Sequence, residues 1–215
     1  MREDLVIAVP KGRILAELEP ILAKAEIKPE AEFYDENSRK LEFSTNIAGI
    51  SIIRVRAFDV ASFVAFGGAD IGVVGNDVLE EFGYDDIYSP LDLGIGQCRL
   101  SVAEAAEVAE ADNPDSWSHI RIATKYPNIT QKYFAAKGVQ AECIKLNGAM
   151  ELAPKLGMCH RIVDLVSSGA TLKANGLVEI EKIMDVTSRL IVSRTSFKTR
   201  NDEISAIIEK FSTNG

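Results

Sequence analysis

An α/β fold in two lobes is predicted by three features of the chain. Short β-branched runs alternate with amphipathic helical stretches, and glycine-containing polar turns separate them. The strand–turn–helix order then occurs on both sides of an acidic stretch, which gives two successive α/β units. Leu5–Val9 is an apolar run of the buried-strand kind. Pro10-Lys-Gly-Arg13 turns the chain, and Ile14, Leu18, Ile21 and Leu22 share one helical face. Ile50–Val55 is the second strand. Arg56 follows it, Asp59 is placed to cap a helix with Val60, Phe63 and Val64 facing inward, and Gly67-Gly68 ends that helix. Asp70–Val74 is a third strand, and Gly75-Asn76-Asp77 leads into a helix at Val78–Phe82.

Ile120–Ala123 opens the second unit, followed by a polar turn at Thr124–Asn128 and a helix presenting Ile129, Tyr133 and Phe134. Val139–Leu146 reads as a strand and Ala149–Leu156 as a short helix stopped by Gly157. Ile162–Val166 is a buried strand, Thr171–Asn175 a helix ending at Gly176, and Val178–Val192 extended chain. The last helix bears Ile204, Ile207, Ile208 and Phe211. Packed back on the first lobe, it makes that lobe discontinuous: residues 1–92 with 180–215, around a second lobe at 93–179.

With 215 residues, 47% hydrophobic and 26% charged, the chain suffices for one large or two small domains. No apolar segment is long enough to cross a bilayer, and Glu3 and Asp4 ahead of the first strand argue against a signal peptide. Cys98, Cys143 and Cys159 lack metal-ligand spacing and read as reduced thiols, so a cytoplasmic protein without a zinc site is expected. His119 and His160 are the only histidines, which disfavours histidine-based metal or triad chemistry. The net charge of −8 disfavours nucleic acid as a partner. Between Arg99 and Arg121 there is no Lys or Arg, and Ala105–Ser118 reads as a solvated acidic segment with a turn at Asn113-Pro114-Asp115.

Against that charge, cations and hydroxyls gather in the turns after four strands: Lys11-Gly12-Arg13, Arg56, Lys125, and Ser167 to Thr171 with Leu172. Turns after parallel strands share one sheet edge, so these residues are expected to converge on one cleft suited to a polyanion. The Ser167-Ser-Gly-Ala-Thr171 turn leaves backbone N–H groups free at a helix start, as a phosphate requires. Asp164 at the strand's end is placed to hold sugar hydroxyls or a metal-bound water. Plainer readings exist for each: Ser167 or Ser168 as a helix cap, Arg56 paired with Asp59 or Asp70, Lys11, Arg13 and Lys125 as solvated charges, and Arg39 as a loop arginine. Neither a Walker loop nor a Gly-x-Gly-x-x-Gly turn is present.

Seven motifs in order resemble the ATP phosphoribosyltransferase family: Pro10–Arg13, Ser38–Leu41, Arg56–Val60, Gly68–Gly75, Asp92–Leu100, Ala123–Asn128 and Ile162–Leu177. The length is similar to that of the short form, which lacks a C-terminal regulatory domain. The resemblance implies a two-lobed periplasmic-binding-protein-like fold with a central cleft (a type IV phosphoribosyltransferase). It implies transfer of the phosphoribosyl group of phosphoribosyl pyrophosphate to N1 of ATP, releasing pyrophosphate, as the first step of histidine biosynthesis. It also implies Mg2+ as cofactor, with ligands unspecified, and a homodimer within a hetero-oligomer containing a histidyl-tRNA-synthetase-like regulatory subunit. Arg56, Arg39 from a neighbouring subunit, and Lys11 are the implied catalytic cations; Asp164, Ser167, Ser168, Gly169, Ala170 and Thr171 would cradle ribose and 5-phosphate. The chain departs from the family pattern in three places: Cys159-His160-Arg161 stands where a small residue and an acid are usual, Ser168 replaces a threonine, and Ala61 a proline. The alternative is a non-catalytic two-lobed receptor for a small anion, or a subunit that only supports an assembly.

Overall fold

The computed structural model describes residues 4–35, 37–109 and 117–212. The turn expected at Asn113–Asp115 lies outside them. In chain order the elements begin β1 (Leu5–Pro10), α1 (Arg13–Lys24), β2 (Glu42–Ser44), β3 (Ile50–Val55), α2 (Ala57–Ala65), β4 (Ile71–Gly75), α3 (Asn76–Phe82) and β5 (Ile87–Asp92). The central part holds β6 (Cys98–Ala105), α4 (Ala106–Ala109), β7 (His119–Thr124), α5 (Pro127–Ala136), β8 (Gln140–Lys145), α6 (Leu152–Lys155), β9 (Arg161–Val166), α7 (Ala170–Ala174) and β10 (Leu177–Val186). β11 (Ser188–Ser193), α8 (Arg194–Thr199) and α9 (Asn201–Ser212) follow. Two units result: Met1–Gly96 with Thr187–Gly215, and Gln97–Val186.

The first unit is built on a six-stranded sheet, order β2-β3-β1-β4-β11-β5. β1 lies between β3 and β4, parallel to both, and is wholly buried. Its alternation sends Leu5, Ile7 and Val9 into a cluster with Leu18 and Leu22 of α1 and Ile204, Ile207 and Phe211 of α9. Val6 and Ala8 pack on the opposite face with Val60, Ala61 and Val64 of α2. The inward stripe of α2 is therefore Val60, Ala61 and Val64, at helical spacing, and Phe63 falls off it at 41% exposure, contrary to expectation. Asp59 is not the cap either: Arg56 occupies that position in extended backbone and Asp59 sits in the first turn. α2 lies so close to the sheet that a Cβ on Gly72 would come within 2.8 Å of Val60 and 2.9 Å of Val64. β5 contains Pro90, which an edge strand tolerates.

The second unit has a five-stranded sheet, order β10-β6-β9-β7-β8. β7, β8 and β9 are parallel, while β6 runs antiparallel to both β9 and β10. Ile162 and Val166 of β9 pack with Met150, Ala153, Leu172 and Leu177. A buried ion pair, Arg161 to Glu104 at 3.0 Å, joins register partners on β9 and β6, with the guanidinium 3.8 Å from the centre of the Trp117 ring.

Candidate active site

Within each unit, parallel strand pairs bring sequence-distant turns to one edge. In the first, Lys11 and Arg56 directly follow the register partners Pro10 and Val55, and the Lys11 N–H donates to the Val55 carbonyl at 3.0 Å. The side chains of Lys11 and Arg56 are exposed and make no ion pair among the described residues. Arg56 thus pairs with neither Asp59 nor Asp70; Asp70 instead accepts the Val6 N–H at 2.8 Å and the Ser196 hydroxyl at 2.7 Å.

Lys11, Gly12 and Arg13 line a hollow of about 510 Å³ with Glu19, Tyr34 and Arg54. Gly12, at φ 87°, provides the backbone turn into α1 that a side chain would strain. Arg13 is tied to structure: its guanidinium lies 3.6 Å from Glu17 and donates to the Gly96 carbonyl at 3.3 Å, while Glu17 accepts the Gly96 N–H at 2.7 Å. Arg39 is exposed on the segment before β2 and is not part of the hollow's lining.

Arg54 is a buried cation that the sequence alone does not single out. It is 5% exposed and donates to the carbonyls of Phe33 at 2.6 Å, Asp35 at 3.2 Å and Ser38 at 3.4 Å. Its guanidinium also lies 5.1 Å from the Phe43 ring centre. It ties the segment leading to Arg39 together with the Ser38 N–H, which donates to the Asp35 carbonyl at 3.2 Å, and the Ser38 hydroxyl, which donates to Glu32 at 2.7 Å. A signal existed, since Arg54 shares strand parity with Ile50 and Ile52 and so points to the core face.

In the second unit, Asp164, Ser167, Ser168, Gly169, Ala170, Thr171 and Leu172 all line one hollow of about 260 Å³, joined by Glu151. Gly169, not a serine, is the residue before α7, at φ 76°, and the Ser168 hydroxyl accepts the Ala170 N–H at 3.3 Å. The N–H groups of Ser168, Gly169, Thr171 and Leu172 donate to nothing among the described residues. With five residues, α7 is little more than one turn, so these local N–H groups matter more to an anion than a summed dipole.

Asp164 is half-buried, and its oxygen accepts the Leu165 N–H at 2.8 Å. Burial lifts its pKa from 3.8 to about 6; the Leu165 N–H and Lys125 pull it down and the Glu151 charge pushes it up. Lys125, following β7, is thus within electrostatic reach of Asp164 on the neighbouring parallel strand. His160 is exposed at the far end of β9, roughly 13 Å from Asp164 of the hollow at ~3.3 Å per residue.

Among the described residues, no three His, Cys, Asp or Glu side chains form a metal-holding group. Asp164 and Glu151 are two carboxylates on one hollow. That donor set suits a magnesium ion that shares its coordination with substrate phosphates and water. Chemically, the second hollow offers a phosphate monoester unpaired N–H groups and its sugar hydroxyls a carboxylate, while the first edge offers cations to a polyphosphate.

Comparison with known proteins accords with these features. The family model for ATP phosphoribosyltransferase matches residues 56–213. The chain is 66% identical to the ATP phosphoribosyltransferase of Rhodospirillum rubrum, over 97% of this chain and 92% of that one. It is 65% identical to that of Paramagnetospirillum magneticum, over 98% and 96%. Among solved structures it resembles a chain of the ATP phosphoribosyl transferase (HisG:HisZ) complex from Thermotoga maritima, at a TM-score of 0.82 and 31% identity, covering 97% of each. The alkanesulfonate-binding protein SsuA from Xanthomonas axonopodis, bound to MOPS, superimposes at a TM-score of 0.59 over 98% of this chain and 72% of its own; at 13% identity it shares the fold alone. The fold is therefore the two-lobed one of periplasmic binding proteins, and the chain belongs to the ATP phosphoribosyltransferase family.

Proposed function

We propose that the chain transfers the phosphoribosyl group of phosphoribosyl pyrophosphate to N1 of the adenine of ATP, releasing pyrophosphate and opening histidine biosynthesis. The observation behind this reading is the hollow after β9, where a carboxylate and unpaired N–H groups line one space in a chain of this family. In this reaction the bond from C1 of the ribose to the departing diphosphate breaks ahead of attack. Positive charge then grows on the ring and negative charge on the leaving group. Adenine N1 already bears a lone pair, so the protein need not supply a base. Its part is to position both substrates and to stabilise the departing diphosphate.

Ser167–Leu172 hold the 5-phosphate, and ionised Asp164 accepts hydrogen bonds from the ribose hydroxyls. Lys125 helps keep Asp164 ionised. Arg56, Lys11 and Arg39, the last from a neighbouring subunit, bind the diphosphate; Gly12 lets the backbone approach it, and Arg13 shapes the turn. Mg2+, when bound, would neutralise part of the diphosphate charge, and Asp164 and Glu151 are the side chains that would hold it. A HisZ-type partner is part of the working enzyme, supported by the complex from which the Thermotoga maritima neighbour comes. By family resemblance that partner is the histidyl-tRNA-synthetase-like regulatory subunit, joined to a homodimer of this chain in the cytoplasm. Among the described residues no helix is long and apolar enough to cross a membrane.

The chain mixed with that partner, ATP, phosphoribosyl pyrophosphate and Mg2+ should yield pyrophosphate and a phosphoribosylated ATP, measured by coupled assay and mass spectrometry. Donor binding without product would instead establish the anion receptor.

A further inference from the structure

One side chain outside the second hollow reaches into its construction. Arg99 of β6 uses both sides of its guanidinium fork on Glu179 of β10, at 2.6 and 2.5 Å, and donates its remaining side to the Ser167 carbonyl at 3.1 Å. Ser101 donates to the same Glu179 at 2.8 Å, and Ser101 is the register partner of Asp164. The hydrogen bond from Arg99 holds the Glu179 carboxyl below its ordinary pKa, so the pair remains ionised near neutrality. None of Arg99, Ser101 and Glu179 lines the hollow itself.

Ser167 is the first residue after β9, and no peptide bond among the described residues is cis. In a planar trans peptide the carbonyl and the following N–H point in opposite directions. Binding the Ser167 carbonyl to Arg99 therefore turns the Ser168 N–H away from Arg99, and that N–H is one of the unpaired donors of the loop. A bidentate carboxylate fixes the guanidinium plane far better than a single contact would.

We infer that Arg99, locked by Glu179 and Ser101, is a positioning residue that aims the main-chain donors of the phosphate loop. It acts through the Ser167–Ser168 peptide and not by touching substrate. The inference rests on the proposed donor, phosphoribosyl pyrophosphate, as the ligand of this loop.

The experiment uses the full chain with its partner subunit and the variants Arg99→Ala, Arg99→Lys, Glu179→Gln and the milder Ser101→Ala. Steady-state kinetics should show KM for phosphoribosyl pyrophosphate raised roughly tenfold to hundredfold in Arg99→Ala. The KM for ATP should stay unchanged, and Arg99→Lys and Ser101→Ala should fall between Arg99→Ala and the parent. In parallel, inorganic phosphate is titrated while the amide resonances of residues 167–172 are followed. Phosphate should shift them in the parent chain and much less in Arg99→Ala and Glu179→Gln.

Equal loss of affinity for both substrates, a donor KM unchanged in Arg99→Ala, or amide shifts equal in parent and variants would each overturn the inference. Absence of turnover in the parent, with the phosphate titration still separating parent from variants, would count against the proposed reaction and leave the positioning role standing.

Discussion

In the first unit, positive charge sits at the ends of long exposed side chains, Lys11, Arg39 and Arg56, whereas in the second it is spread over the main-chain N–H groups of Ser168–Leu172, with Lys125 near Asp164. The two arrangements behave differently. A flexible cation surrenders about 0.5–1.5 kcal/mol of rotamer freedom when it is immobilised, yet it can follow a group that moves. A loop amide is already fixed by the fold and gives nothing up on binding, but it cannot follow. In the proposed reaction the 5-phosphate keeps its place and its charge while the diphosphate gains charge and departs. Static donors suit the former and mobile cations the latter. An arginine stabilises each arrangement from behind: Arg54 through three carbonyls ahead of Arg39, and Arg99 through one carbonyl ahead of Ser168.

The contrast is open to attack at both ends. The largest expected effect is that of Arg56→Ala, which should lower kcat/KM by about 10²–10³ with little change in unfolding midpoint, because the side chain is exposed. Unchanged turnover in steady-state assays would remove the mobile cations from the mechanism. Next comes Arg54→Met, which takes the guanidinium donor from the carbonyls of Phe33 and Ser38 and leaves that of Asp35 with only the Ser38 N–H; urea unfolding should show a loss of about 2–3 kcal/mol. A variant as stable as the parent would mean that the loop before Arg39 is held by something else.

Asp164→Asn should instead stabilise the chain. Its folded pKa is raised from 3.8 to about 6, so the ionised carboxyl opposes folding. That opposition is absent below pH 3.8, grows as pH rises, and is complete above about 6. Relative to the parent, the variant should gain about 1–2 kcal/mol at pH 8, discounted for residual solvent contact, and nothing at low pH. Its turnover should fall even as its stability rises, and kcat/KM of the parent should decline below pH 6 as Asp164 takes up a proton.

The smallest effect belongs to Glu179→Gln. Glu179 has a lowered pKa through Arg99, so its contribution is full above the ordinary value of 4.5 and fades as pH drops through the folded value. At neutral pH the loss should be under about 1 kcal/mol by denaturant titration, because the pair is partly solvated. A larger loss would make the brace a pillar of the second unit's stability as well as a guide for its loop.

Apolar, β-branched runs make β1, β3 and β7 legible as strands, and α9 shows a helical core face in Ile204, Ile207 and Phe211. The strand-to-helix turn after β9 is equally legible as a turn, because glycine and hydroxyl residues directly follow an apolar strand. Three things were not legible. Hydrophobicity alone turns Phe63 inward, although the α2 stripe runs through Val60, Ala61 and Val64. For Arg54, charge suggests solvent, whereas strand parity puts it on the face of Ile50 and Ile52. The Arg99–Glu179 pair depends on β10 lying beside β6, a pairing across some eighty positions that no local pattern encodes.

The strand order of the first sheet also bears on how the chain is born. β11 lies between β4 and β5, so β5 waits for a neighbour that leaves the ribosome about a hundred residues after it. The second unit is contiguous and is fully synthesised before β11 exists. During translation it is the insert that can fold early. The first unit cannot complete its sheet until β11 has been made, with the apolar edge of β4 in need of protection meanwhile.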